Sequence, residues 1–205
     1  MRVTCGCFAL LDNVHDCVGN RDERSLNYET CCGNCLLYDG CTGEFVDFCR
    51  MTNHEPVLCV SVMFVSPENA RDWVDFCNNP KNEQRIKAGY TQPLNVKYWE
   101  LDNETYRRFD AITYAKRSVE FAKAMKKVDP KIKIVMGNYW LFHSKFKEML
   151  AITYPYIDVI TNRGGSVDEM EGDLKVLASF NKLTKTDITL SHTECRAHLE
   201  RKEQR

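Results

Sequence analysis

Glu104 and Glu194 carry the strongest chemical signal in the chain. Two carboxyl groups held on either side of one bond can divide the labour of breaking it. One, as an acid, protonates the departing oxygen; the other, ionised, attacks the carbon left behind. In glycoside hydrolysis a separation of about 5 Å suits retention of configuration and a gap of roughly 6.5–9.5 Å suits inversion. A glutamate that follows a strand is by default a solvated loop residue, so the pair gains meaning only from the elements that position it.

Those elements can be read from periodicity. Pro56 to Met63 (PVLCVSVM) is a short β-branched apolar run, a buried strand. Ser66-Pro67 supplies a helix N-cap and a proline at the first helical position, and Ala70, Trp73, Val74 and Cys77 make one face of the helix that follows. Asn95 to Leu101 (NVKYWEL) is the next strand. Phe109, Ile112, Ala115, Val119, Ala122 and Met125 recur at helical steps, giving an amphipathic helix that Asp129-Pro130 stops. Lys131 to Met136 (KIKIVM) is a strand ended by Gly137, Leu141 to Ile152 is a helix, and Ile157 to Thr161 (IDVIT) is a strand. Ser166 and Glu169 form an S-x-x-E capping box opening a further helix, and Asp187 to Thr193 (DITLSHT) is the last strand.

Strands alternating with helices predict α/β architecture with a parallel sheet. Periodicity leaves two versions open, a doubly wound open sheet and a (β/α)8 barrel. No G-x-G-x-x-G or G-x-x-x-x-G-K-[ST] phosphate loop occurs, which weighs against a nucleotide-binding open sheet. In parallel α/β proteins functional residues gather at the C-terminal ends of strands. Glu104 lies just past one strand end and Glu194 closes another, three strands further on. Strands so spaced face each other across the mouth of a barrel, so their side chains can converge on one ligand.

The remaining features bound the alternatives. A chain of 205 residues is long enough for one domain with a sizeable core. A net charge of -1 implies no broad attraction to nucleic acid or to an anionic membrane. No apolar run approaches the roughly 20 residues that span a bilayer. The N-terminus lacks the pattern of a secretory signal, which favours the cytoplasm. Of 11 cysteines, seven lie in the first 41 residues. Cys32-x2-Cys35 is a single knuckle without a partner pair, so these read as loop thiols, or as a disulfide in an exported protein, more readily than as a zinc site. Cys49, Cys59 and Cys77 sit among apolar residues and read as buried small hydrophobes. No metal or cofactor is expected.

The segment Lys97-Tyr98-Trp99-Glu100-Leu101-Asp102-Asn103-Glu104 resembles the K-Y-W-E-[IL]-G-N-E strand of family 51 glycoside hydrolases, the α-L-arabinofuranosidases. Five further segments follow that family's order. Arg2 to Ala9 (RVTCGCFA) is similar to its R-[YW]-P-G-G-[CN]-F loop, and Asp16 to Arg24 (DCVGNRDER) to its D-x-[IV]-G-P-R-x-x-R. Gly43 to Cys49 (GEFVDFC), Pro67 to Pro80 (PENARDWVDFCNNP) and Ala122 to Ile134 (AKAMKKVDPKIKI) resemble its next three conserved stretches. Glu104 then falls on barrel strand four, where the family's acid/base stands. Glu194, within Ser191-His192-Thr193-Glu194-Cys195, falls on strand seven, the nucleophile's strand.

The resemblance implies that residues 1–205 form an incomplete (β/α)8 barrel, roughly strands two to seven, without strand eight or the C-terminal β-sandwich. It implies a retaining glycosidase that removes terminal α-L-arabinofuranosyl groups from arabinose-containing glycans, assembled as a homo-oligomer. Asn103 would hydrogen-bond the sugar 2-hydroxyl, and Cys7 and Asn162 would line the sugar site. Alternation along an extended strand would put Glu100, Asp102 and Glu104 on one face, and likewise His192 beside Glu194. Trp140 is a candidate sugar-stacking ring, whereas Trp99 reads as core. Three departures stand out: Asp102 replaces a glycine, Thr4-Cys5 replace Pro-Gly, and Thr161-Asn162-Arg163-Gly164-Gly165 replaces an aromatic pair at the end of strand six. They keep open a second reading, a catalytically impaired carbohydrate-binding fragment. Cysteine count alone favours a third, a metal or redox protein.

Overall fold

The computed structural model of the protein describes residues 26–28, 35–37, 42–101, 103–163 and 167–194. A short antiparallel pair, β1 (Leu26–Tyr28) with β2 (Cys35–Leu37), precedes α1 (Thr42–Met51). Then come β3 (Val57–Val60), α2 (Pro67–Asn78), the short α3 (Glu83–Lys87), β4 (Tyr98–Leu101), α4 (Ala111–Val128) and β5 (Lys133–Tyr139). The described chain continues with α5 (Phe146–Thr153), β6 (Val159–Arg163), α6 (Val167–Thr184) and β7 (Thr189–Glu194). Strands β3 to β7 lie side by side in chain order and all run parallel. This is the expected α/β arrangement, part of a (β/α)8 barrel. Among the described residues the parallel sheet comprises β3 to β7, and β1 and β2 pair with each other.

The sheet has two unlike faces. Trp99 meets Trp73 of α2 edge-on, with centroids 5.8 Å apart, so its row faces the helices. Two residues on, the row Val60–Leu101–Met136–Ile160–Leu190 packs on the same side. Its first four members are fully buried. On the opposite face the row Cys59–Glu100–Val135–Val159–Thr189 grades from buried at β3, β4 and β5 to exposed at Thr189.

Several local expectations hold. Ser66 caps α2 by accepting from Asn69 N at 3.3 Å, with Pro67 in the first turn. Asp110, which the sequence reading did not single out, caps α4, accepting from Ile112 N and Thr113 N at 2.9 and 3.0 Å. Asp129-Pro130 ends α4, and Cys49, Cys59 and Cys77 are buried free thiols.

Others need correction. The buried face of α4 consists of Ala111, Tyr114, Ala115, Ser118, Phe121, Ala122 and Met125, while Ile112 and Val119 lie at its margin. The helix is turned so that Tyr114 and Phe121 fill the sheet contact. Gly137 does not end its strand: β5 runs on to Tyr139. The glycine is there for space, because a Cβ on it would lie 2.7 Å from Cζ of Tyr139. Leu141 to Ile152 is not one helix: residues Trp140–Lys145 form a 3-10 segment before α5. The Ser166–Glu169 capping box lies partly outside the described residues.

Two charged side chains serve the scaffold. Arg85 is fully buried and caps the end of α2. It donates to the carbonyls of Phe76, Pro80 and Tyr90 at 3.1 Å each, and to that of Asn79. Asp158, before β6, accepts from Lys126 Nζ and Lys133 Nζ at 2.8 Å and from Ile134 N at 3.0 Å. Burial pushes its carboxyl up, but the bonds from Lys126, Lys133 and Ile134 outweigh that and hold it below its ordinary range.

Candidate active site

The site is built at the C-terminal end of β4. The β4–β5 register closes at Leu101 opposite Met136. Beyond it the hydroxyl of Tyr114, reaching in from α4, donates to Leu101 O at 2.6 Å and accepts from Gly137 N at 3.0 Å. One phenol thus takes the place of the next ladder bond, and the chain after Leu101 is free to leave the sheet.

Glu104 follows at once, and it does not continue the strand. It sits at φ 50°, ψ 38°, in the left-handed region, as the N-cap of a 3-10 turn formed by Thr105–Arg107. A bulky non-glycine residue there costs of order 1 kcal/mol or more and persists only where its surroundings enforce it. The enforcing contacts are at hand. Arg107 N donates back to Glu104 O at 3.1 Å, closing the turn. Thr105, fully buried, shares a 3.0 Å hydrogen bond between its hydroxyl and that of Tyr139. The expected sharing of one strand face by Glu100, Asp102 and Glu104 therefore fails for Glu104, because alternation stops where the strand stops. Asp102 lies outside the described residues.

The Glu104 carboxylate folds onto its own turn. Tyr106 donates its hydroxyl to Oε1 at 3.1 Å, and Arg107 Nη2 lies 2.6 Å from Oε2. The side chain of Glu104 keeps 30% of its surface exposed, so it remains open to a ligand. Behind it stands an aromatic wall. Tyr139 packs edge-on against Tyr106 and Phe142, with ring centroids 5.4 Å away in each case, and Tyr114 lies 6.0 Å from Tyr139. Sequence reading missed Tyr106, Arg107, Tyr114 and Tyr139. The first two had a local signal, since a residue two or three places past a candidate acid returns to it when the chain turns. The other two arrive from elements 10 and 35 residues away in sequence from Glu104, for which no local pattern exists.

The other expected site residues are placed as follows. Asn103 is buried beside Glu104, with 1% exposure. Glu194 ends β7, with β5 and β6 between its strand and β4. Its side chain lies outside the described residues, as do all of Cys7 and the side chain of Trp140. A bulge pairs Asn162 with His192 but Arg163 with Glu194, skipping Thr193. His192 is exposed. Asn162 lies on β6. It is fully buried and donates to Oδ2 of Asp173 on α6 at 2.6 Å, where Asn138 of β5 also donates at 3.0 Å. An amide committed to the helix side of the sheet has no surface to offer a sugar.

Trp99 is core, as expected, and its indole donates to Val96 O at 3.1 Å. Burial pushes the Cys77 thiol far above its ordinary range, so it is an inert packing group rather than a nucleophile. Among the described residues no cluster of three or more histidine, cysteine or acidic side chains could hold a metal ion, and no helix is long and apolar enough to cross a membrane.

Comparison with known proteins agrees with this layout. The model of the α-L-arabinofuranosidase 1 domain matches residues 21–141. α-L-Arabinofuranosidase C of Emericella nidulans is 30% identical over 169 residues, covering 76% of this chain and 34% of that protein. The intracellular exo-α-(1→5)-L-arabinofuranosidase of Halalkalibacterium halodurans is 29% identical over 208 residues, covering 93% of this chain and 42% of that protein. The chain thus spans about a third to two fifths of the length of these relatives. Among solved structures, the α-L-arabinofuranosidase of Thermotoga maritima in its arabinose complex superposes with a TM-score of 0.82 at 23% identity, over 91% of this chain and 44% of that one. The family 51 α-L-arabinofuranosidase of Thermotoga petrophila superposes with a TM-score of 0.76 at 24% identity, over 91% of this chain and 42% of that one. These two share the fold. With the domain model matched over more than half its length, the chain belongs to the α-L-arabinofuranosidases of glycoside hydrolase family 51.

Proposed function

We propose that this chain is a catalytic-barrel segment of a retaining glycosidase that removes terminal α-L-arabinofuranosyl groups from arabinose-containing polysaccharides or oligosaccharides. Glu104 is the acid/base and Glu194 the nucleophile. The observation that carries the reading is positional. A partly exposed glutamate is held at the C-terminal end of β4, and a second glutamate ends β7, three strands on in the same parallel sheet. In the first step Glu194 attacks the anomeric carbon while Glu104 protonates the departing oxygen. In the second, Glu104 takes a proton from the water that releases the sugar. Asn103, adjacent to the acid, binds the sugar 2-hydroxyl, and Cys7 lines the same pocket. A homo-oligomer is the proposed assembly.

The test is hydrolysis of para-nitrophenyl α-L-arabinofuranoside by the full chain, with the configuration of the first-formed sugar followed by NMR. Glu104→Ala should lower turnover by roughly 10²- to 10⁴-fold, Glu194→Ala should abolish it, and the first product should keep its configuration. Activity indifferent to both substitutions would sink the assignment. The withdrawal of Asn162 into the Asp173 contact favours a second reading, a carbohydrate-binding fragment with impaired catalysis. Arabinose binding without turnover would support it.

A further inference from the structure

Glu104 offers two carboxylate oxygens, and the structure gives each its own kind of partner. Oε2 faces Nη2 of Arg107 at 2.6 Å. A guanidinium carries only donors, so a proton on Oε2 would point at another hydrogen. Oε1 faces the hydroxyl of Tyr106 at 3.1 Å. A phenol can donate to a carboxylate or turn and accept from a carboxylic acid. Tyr106 is in turn set by its edge-on contact with Tyr139, which is nearly fully buried and tied to Thr105 through its hydroxyl. The left-handed backbone of Glu104 and the closed 3-10 turn fix the carboxyl relative to both partners.

We infer that Tyr106 and Arg107 are positioning residues that assign the two oxygens of Glu104: Oε1 carries the catalytic proton and Oε2 is the anchored, charge-bearing one. This rests on the acid/base reading of Glu104. In glycosylation Glu194 bonds to the anomeric carbon as the C–O bond to the departing oxygen breaks, that oxygen takes the proton from Oε1, and the negative charge left on Glu104 is held by Arg107 at Oε2. In deglycosylation Oε1 recovers a proton from water as the hydroxide adds to the anomeric carbon and the ester bond to Glu194 breaks, its electron pair returning to Glu194. Tyr106 follows the change by turning its hydroxyl, with no net transfer through it. In this assignment both residues act through Glu104.

The experiment compares the full-length chain with Tyr106→Phe, Arg107→Gln and Arg107→Lys on two substrates. One is an arabinofuranoside with a sugar leaving group, which must be protonated. The other is a 2,4-dinitrophenyl arabinofuranoside, whose leaving group departs without a proton. Arg107→Gln and Tyr106→Phe should lower kcat/KM on the sugar substrate by roughly tenfold and leave the dinitrophenyl substrate within about threefold of wild type. Arg107→Lys should recover part of the loss, and the pH profile on the sugar substrate should move in Arg107→Gln. Equal losses on both substrates, or none, would overturn the assignment. A second readout is independent of turnover: the 13C signal of the Glu104 carboxyl followed against pH. Its titration should differ between wild type and Arg107→Gln, and an unchanged curve in both variants would overturn the inference. If wild type hydrolyses neither substrate, the acid/base reading fails, and the carboxyl titration still decides whether the two residues hold Glu104.

Discussion

From Trp99 onward in β4 and from Ile134 onward in β5, every residue with a described side chain is buried on both faces of the sheet, whereas β7 leaves Thr189, Ser191 and His192 exposed. The helices follow suit. α4 lays seven buried residues against the sheet, while α6 buries only Asp173 and Leu177 and leaves Val167, Leu174 and Leu183 largely in solvent. The packed half carries Glu104 and the more open half carries Glu194. The Glu104 turn is thus preorganised by its surroundings: a buried threonine, a phenol in the ladder and an aromatic wall hold it in a backbone conformation it would not choose alone. The strand that bears Glu194 gets far less support from the described residues, and its bulge marks a change in ladder register just where Glu194 stands.

The contrast can be broken by mutation, and the largest effect should come from the packed half. Trp99→Ala should cost about 3–5 kcal/mol in urea unfolding, while Leu183→Ala, at 82% exposure, should stay within about 0.5 kcal/mol. Similar costs for the two would abolish the distinction. Next comes Arg85→Ala, which removes a fully buried guanidinium from four carbonyls. A loss of about 3 kcal/mol is expected, with Arg85→Lys recovering only part, because an ammonium cannot span the same fork of acceptors.

A third test concerns the tie between the halves. Asp158 joins α4 and β5 to β6, and its carboxyl lies below its ordinary range in the folded protein. A depressed carboxylate stabilises the fold above the unfolded value of about 3.9, and that contribution is lost as pH falls through the folded value. The stability gap between wild type and Asp158→Asn should therefore be full near neutrality and shrink below about pH 4. A gap constant from pH 7 to pH 3 would show that its charge is not what binds the halves. The smallest effect should be at Glu104 itself. Glu104→Asn places a residue tolerant of the left-handed region at φ 50° and should leave stability unchanged or raise it by up to about 1 kcal/mol. A marked destabilisation would mean that the Tyr106 and Arg107 contacts outweigh the backbone strain.

Much of this layout could be read from the chain. The α2 cap, the proline stop after α4, the order of the five strands and the buried thiols follow from local chemistry that a linear reading captures. The rest failed for nameable reasons. Gly137 looked like a strand terminus because glycine usually weakens strands, yet here it makes room for a ring two residues on. The bond from Asn162 to Asp173 on α6 joins residues of two elements and had no local signal. The β7 bulge was invisible because an extra residue in a ladder depends on its partner strand.

The sequence by itself determined which elements form and in what order, because caps, periodicity and turn residues act over a few neighbours. It also determined that two glutamates stand at strand ends three strands apart. Only the tertiary structure decided that Glu104 leaves its strand into a left-handed turn, and that its two oxygens meet a phenol and a guanidinium. Those choices depend on Tyr114 and Tyr139, which reach the turn from other elements, and on a ladder whose last bond is made by a side chain. Contacts between residues distant in sequence exist only once the sheet has assembled.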